Sequence, residues 1–176
     1  LVLALGACGE ETEADGLGSG GGGGGAGRGG GGGGVNCSIP DPAPAWLTGY
    51  QQDLVASLTG TVALPSGTTL TDRETVVARS EARDYVRAEL AALGYQPQDH
   101  AYASGANVWA QLDATVESQQ FLLLGAHFDS WTGCPGANDN ATGVAVTLAV
   151  ARYLLEVECR DLNVIFAFFD EEELGT

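Results

Sequence analysis

Two uninterrupted apolar runs constrain this chain more than any other feature. Residues 121–126 and 163–169 are each of strand length, and neither alternates polar with apolar residues. That is the pattern of a strand covered on both faces. Between them, residues 142–155 are rich in Ala, Val and Leu and long enough for a helix. Strand, helix, strand with buried strands calls for a right-handed crossover. The expected fold is therefore α/β, a three-layer α/β/α sandwich with a mostly parallel central sheet. The chain stops soon after the second run, so the sheet is expected to be incomplete at its C-terminal side.

Upstream, residues 48–58 place Leu54, Val55 and Leu58 at helical spacing and predict a short helix. Residues 64–70, with Pro65 and Gly67, predict a loop. Thr71 and Glu74 read as a capping box, opening a helix that runs to about Leu93 and stops at Gly94. Ala82, Val86, Leu90 and Leu93 form its apolar stripe, and Arg79, Arg83 and Arg87 line another face that reads as solvated. Residues 107–112 alternate, with Val108, Ala110 and Leu112 on one side, and predict a further strand.

Not all of the 176 residues can join one core. Residues 16–34 hold 15 of the 27 glycines, with no Gly-X-Y period, which excludes collagen. Such sequence is a flexible coil, with a root-mean-square reach of roughly 25 Å for a run of this length. Before it, residues 1–7 are apolar and small, and Cys8 follows at once. Leu5-Gly6-Ala7-Cys8 resembles a bacterial lipobox, in which the Cys is acylated. Residues 1–7 are read as the remnant of a lipoprotein signal peptide, and 8–36 as an acidic and then Gly-rich tether. There is no Met, and the sequence begins inside an apolar stretch, so it is read as a fragment of a longer protein. The expected location is outside the cytoplasm, as a membrane-anchored bacterial lipoprotein or a secreted protein.

Charge excludes other partners. There are 23 acidic and 7 basic side chains, all of the latter Arg, for a net charge of −16. Nucleic acids and anionic membrane surfaces both require a basic face, so neither is expected to bind, and contact with a membrane is expected through the lipid anchor only. No apolar run approaches the 18 or so residues of a membrane-spanning helix. Of four cysteines, Cys37, Cys134 and Cys159 remain besides Cys8. No CxxC is present, which disfavours a Cys-based zinc site, and the sequence does not assign a disulfide pairing.

The chemistry-bearing residues cluster where an open α/β sheet binds ligands, beyond the carboxyl ends of its strands. The first apolar run ends in His127-Phe128-Asp129, and the second in Asp170-Glu171-Glu172-Glu173. Between them Asn138-Asp139-Asn140 leads into the helix. Each feature alone has a plain structural explanation: a packed His, a solvated acidic loop, a helix cap. Together they offer one imidazole and several carboxylates, a donor set that suits zinc. His127-x-Asp129 lets a carboxylate orient the imidazole. Adjacent Glu172 and Glu173 can divide the work, one binding metal and the other acting as a base. Asp139 is the candidate for a carboxylate bridging two metals.

Three ordered motifs, GAHFDS at 125–130, PGANDNATG at 135–143 and an apolar strand into EELG at 172–175, resemble the zinc aminopeptidases of metallopeptidase family 28. The resemblance covers roughly residues 70–176 and implies a phosphorylase/hydrolase-like fold, with 37–176 as the N-terminal part of the catalytic domain. It also implies two zinc ions, with His127 on one, Glu173 on the other and Asp139 bridging both. Glu172 becomes the general acid/base and Asp129 the residue that orients His127. A cis peptide is implied between Asp139 and Asn140. The implied substrates are peptides with a free N-terminus, cut by a zinc-activated water. The family's second Asp and second His lie beyond this sequence, since His100 comes too early and reads as a surface residue. The fragment alone is therefore expected to be inactive. Another two-zinc carboxypeptidase or amidohydrolase, a glutaminyl cyclase, and a non-catalytic binding module on the same fold are the competing expectations.

Overall fold

A computed structural model describes residues 43–175. The expected tether and lipobox, with Cys8 and Cys37, lie outside the described residues. The described chain begins with α1 (Leu47–Leu58) and α2 (Val76–Ala92). Strands β1 (Gln98–Ala101), β2 (Ala106–Leu112) and β3 (Phe121–His127) follow, then α3 (Thr142–Leu154) and β4 (Asn163–Phe169). The strands form one open sheet in the order β1-β2-β4-β3.

The strand–helix–strand unit forms as the two apolar runs require, with β3 and β4 parallel and adjacent. The expectation of a mostly parallel sheet needs correcting for the rest of it. β2 pairs antiparallel with β4, and β1 pairs antiparallel with β2. For β1 and β2 the cause is local: they are joined by a tight turn in which the Tyr102 amide donates to the Gly105 carbonyl at 3.0 Å. No crossover helix separates them, so they can only run in opposite directions. β1 was invisible in the sequence because all four of its residues are exposed and it has no apolar period.

One core holds these elements together. Val108, Ala110, Val164, Phe166 and Phe168 point from the sheet into it, and Leu54, Leu58, Ala82, Val86, Leu90, Val144 and Leu148 meet them from the three helices. Tyr95 joins it edge-on to Phe166 and donates its hydroxyl to the Ala151 carbonyl at 2.8 Å. The other face of the sheet shows Phe121, Leu123 and Phe169, at 56%, 42% and 39% exposure. The strand at 121–126 is thus covered on one face, not on both, and the expected second helical layer is not among the described residues.

Two further expectations change at α2. Its cap is Thr75, whose Oγ1 accepts from the Ala78 amide at 3.2 Å, and not Thr71. Residues 71–74 instead belong to a loop in which Asp72 Oδ1 takes the Glu74 amide and the Arg73 side chain is fully buried. Arg79 is not solvated either. It is 4% exposed and pairs with Asp170 and Glu171, whereas Arg83 and Arg87 remain partly exposed. Cys134 and Cys159 are both disulfide-bonded.

Candidate metal centre

β3 and β4 stay in register to their last residues, with His127 opposite Phe169. Both chains therefore leave the sheet at one end, side by side. The Phe128 amide still donates to the Phe169 carbonyl at 2.8 Å, which carries the pairing one step past β3. The segments His127–Asp129 and Asp170–Glu173 are fixed against each other by this geometry.

The third contributor is the irregular turn at 137–141 before α3. Two glycines that flank it are sterically required. Gly136 has φ +58°, and a Cβ there would lie 2.5 Å from the Asp139 carbonyl oxygen. A Cβ on Gly143 would lie 2.0 Å from Asn140 Oδ1, which accepts the Gly143 amide at 3.0 Å. This tight turn leaves Asp139 buried at 5% exposure. The Asp139–Asn140 peptide is cis.

His127 is the hub. Its Nδ1 lies 3.2 Å from Asp129 Oδ1, and its Nε2 lies 3.0 Å from Asp139 Oδ1. Asp129, 1% exposed, uses its other oxygen to accept the Glu173 amide at 3.0 Å. One carboxylate thus fixes the imidazole and the Glu173 backbone together. Ligand atoms of His127, Asp139 and Glu173 all lie within 4.8 Å of one another. Glu172 stands apart: its side chain is 61% exposed, with Oε2 3.8 Å from His127 Nε2. His100, far from this cluster in β1, is exposed.

The electrostatics match the geometry. Burial alone would lower the His127 pKa, but the Asp129 hydrogen bond and the nearby charges of Asp129, Glu172 and Asp139 raise it. Burial raises Glu173, and the Asp139 carboxylate raises it further. Glu173 Oε1 is buried without a hydrogen-bond partner. A buried carboxylate oxygen left bare is costly, and a cation relieves that cost. With one imidazole and two carboxylates converging on the same space, the residues present fit zinc.

The sequence reading missed Arg73. Its guanidinium donates to four carbonyls: Phe128 at 2.6 Å, Leu58 at 2.6 Å, Pro135 at 2.6 Å and Gly136 at 3.1 Å. It ties the residue between His127 and Asp129 to the turn that carries Asp139. Burial lowers its pKa to about 10, against the pull of Asp129, Asp72, Glu173 and Asp139, so it is charged at neutral pH. Nothing in Thr71-Asp72-Arg73-Glu74 distinguishes it from a surface cap, because its partners are backbone atoms up to 63 residues away.

Residues 107–176 match the model of Peptidase family M28. The match agrees with the resemblance carried by the three motifs. A vacuolar membrane protease of Candida tropicalis is 35% identical over 75 residues, covering 43% of this chain and 8% of that protein. The probable lipoprotein aminopeptidase LpqL of Mycobacterium tuberculosis is 42% identical over 69 residues, covering 39% of this chain and 14% of that protein. The chain thus spans a small part of these curated relatives. Among solved structures, the LapA aminopeptidase of Legionella pneumophila superposes with a TM-score of 0.61 at 14% identity, covering 73% of this chain and 36% of that one. The fold is shared with that enzyme.

Proposed function

We propose that this chain carries part of the active site of a two-zinc aminopeptidase. The observation that supports the reading most is the convergence of His127, Asp139 and Glu173 within 4.8 Å, with the exposed Glu172 carboxylate beside them. In this reading His127 and Glu173 would each hold a zinc, and Asp139 would be the carboxylate shared between them. A further Asp and His from the rest of the protein complete the two sites. Zinc bound here supplies Lewis acidity, making a water acidic and polarising a carbonyl.

The chain's own residues do the remaining work. Asp129 holds the His127 ring at Nδ1, which turns Nε2 toward Asp139 as the nitrogen that would ligate. Glu172 accepts the proton of the attacking water on its carboxylate and returns it to the leaving amine. Its exposure allows it to reach both positions. The acidic surroundings favour a substrate with a cationic free N-terminus, which makes the enzyme an exopeptidase acting on peptides. The chain alone, short of two ligands, is inactive in this reading.

The test uses the full natural protein with peptides whose N-termini are free or blocked. Release of N-terminal residues from free peptides only is expected, lost with chelator and restored by zinc. Glu172→Gln should keep its zinc and lose about 10²–10⁴-fold in turnover. Zinc binding with no release from either peptide would point to a carboxypeptidase, amidohydrolase or cyclase. Failure to bind zinc at all would leave a non-catalytic module on the same fold.

The same reading places the protein outside the cytoplasm, held at a membrane through acylated Cys8 or released from it. Among the described residues no helix is long and apolar enough to cross a membrane. Mass spectrometry of the mature N-terminus decides this: a diacylglyceryl group on Cys8 supports the anchor, and an unmodified Cys8 removes it.

A further inference from the structure

Glu171 is the one described residue other than Gly with a left-handed backbone, at φ +66°. Side chains adopt that conformation reluctantly, and it persists where the surroundings impose it. Here it lies between the end of β4 and the Glu172-Glu173 pair, so it sets the direction in which both carboxylates leave the sheet.

The surroundings that impose it are on the far side from His127. Arg79 of α2 reaches the turn through Nε and Nη2, while its Nη1 donates to the Glu74 carbonyl. Its Nε lies 2.7 Å from Asp170 Oδ1 and its Nη2 lies 2.8 Å from Glu171 Oε1. All three side chains are 5% exposed or less. Ser104 Oγ donates to the second Glu171 oxygen at 2.9 Å. Asp170 is held in turn at its other oxygen by the Ala106 amide at 3.3 Å, and its own amide donates to Asn107 Oδ1 at 2.9 Å. Two adjacent carboxylates are thus buried around one fork-shaped cation. On the opposite side, Asp129 Oδ2 holds the Glu173 amide. The segment 170–173 is gripped from both sides.

We propose that Arg79 is a positioning residue: by holding Asp170 and Glu171 in the left-handed turn, it aims Glu172 and Glu173 at His127 and Asp139. It touches neither metal nor substrate in this scheme and acts through the turn. The fork geometry is needed, because a Lys offers one point charge and cannot span two carboxylates in fixed directions. The proposal rests on the metal-centre reading above, and its test separates the two.

The experiment measures zinc affinity of the full natural protein by chelator competition, with thermal unfolding of the stripped protein alongside. Arg79→Gln should lose about 10–100-fold in zinc affinity, the range for residues that orient ligands indirectly. Glu171→Gly alone should stay within about twofold of wild type, because Gly takes φ > 0 unaided. Glu171→Gly in the Arg79→Gln background should recover most of the lost affinity, whether or not it recovers the melting temperature. If Arg79→Gln does not fold, Arg79→Lys carries the same comparison with and without Glu171→Gly. Unchanged affinity in the Arg79 variant, or no recovery with Gly, would overturn the clamp and leave the metal centre standing. A wild-type protein that does not bind zinc would overturn both.

Discussion

Asp129 makes the point at the scale of a single residue. It is almost fully buried, and its two oxygens serve different partners, the His127 ring and the Glu173 amide. A His-x-Asp spacing announces the first contact, because residues two apart past a strand end can face each other. The second contact has no signature, since it joins positions 44 residues apart. Asp129→Asn is expected to reduce zinc affinity by about 10–100-fold with little change in fold, measured by chelator competition. Loss of zinc binding together with loss of the folded state would instead assign Asp129 to stability. Arg79 and Arg73 show the reverse of a legible residue. An Arg on a helix or beside a cap is ordinarily solvated, and only the packing of α2 and the 128–136 loop shows that these two are buried.

At the scale of elements, the geometry of the candidate site follows from two strand ends and one turn. β3 and β4 were legible from hydrophobic runs, and α3 from composition, because each buries a large apolar face. β1 was not, because an exposed four-residue edge strand is defined by backbone pairing alone. The cap of α2 was misplaced by four residues, because Thr71 and Thr75 are both competent caps and the buried Arg73 decides between them. Arg73 also joins the elements that carry the site. Replacing it by Leu would leave the carbonyls of Leu58, Phe128, Pro135 and Gly136 without their donor. A buried polar group left unsatisfied costs about 1–3 kcal/mol. The Arg73→Leu protein should therefore lose at least about 3 kcal/mol in urea unfolding. A loss under about 1 kcal/mol would show that water replaces the guanidinium.

For the molecule as a whole, the described residues form an open sheet with one packed face and one apolar face that remains exposed. Covalent links add to what the single core supplies. Cys134 adjoins the Pro135-Gly136 turn of the candidate metal centre, and Cys159 follows α3, and both are in disulfides. Reduction of the full protein is expected to cost about 2–5 kcal/mol, read as a lower melting temperature in the presence of reductant. No shift on reduction would mean that the core alone carries the fold.

The sequence by itself determined the parallel β3–β4 unit with its crossover helix, and it picked out the polar residues at that unit's open end. Both follow from local chemistry: hydrophobic burial writes a continuous run, and strand ends expose whatever comes next. Only the tertiary structure shows how His127, Asp139 and Glu173 meet, and that two arginines far upstream are buried. Register, the reversal of β1 and β2, and the left-handed turn at Glu171 arise from contacts between residues distant along the chain. The partners in such contacts are often backbone atoms, which look the same in every sequence.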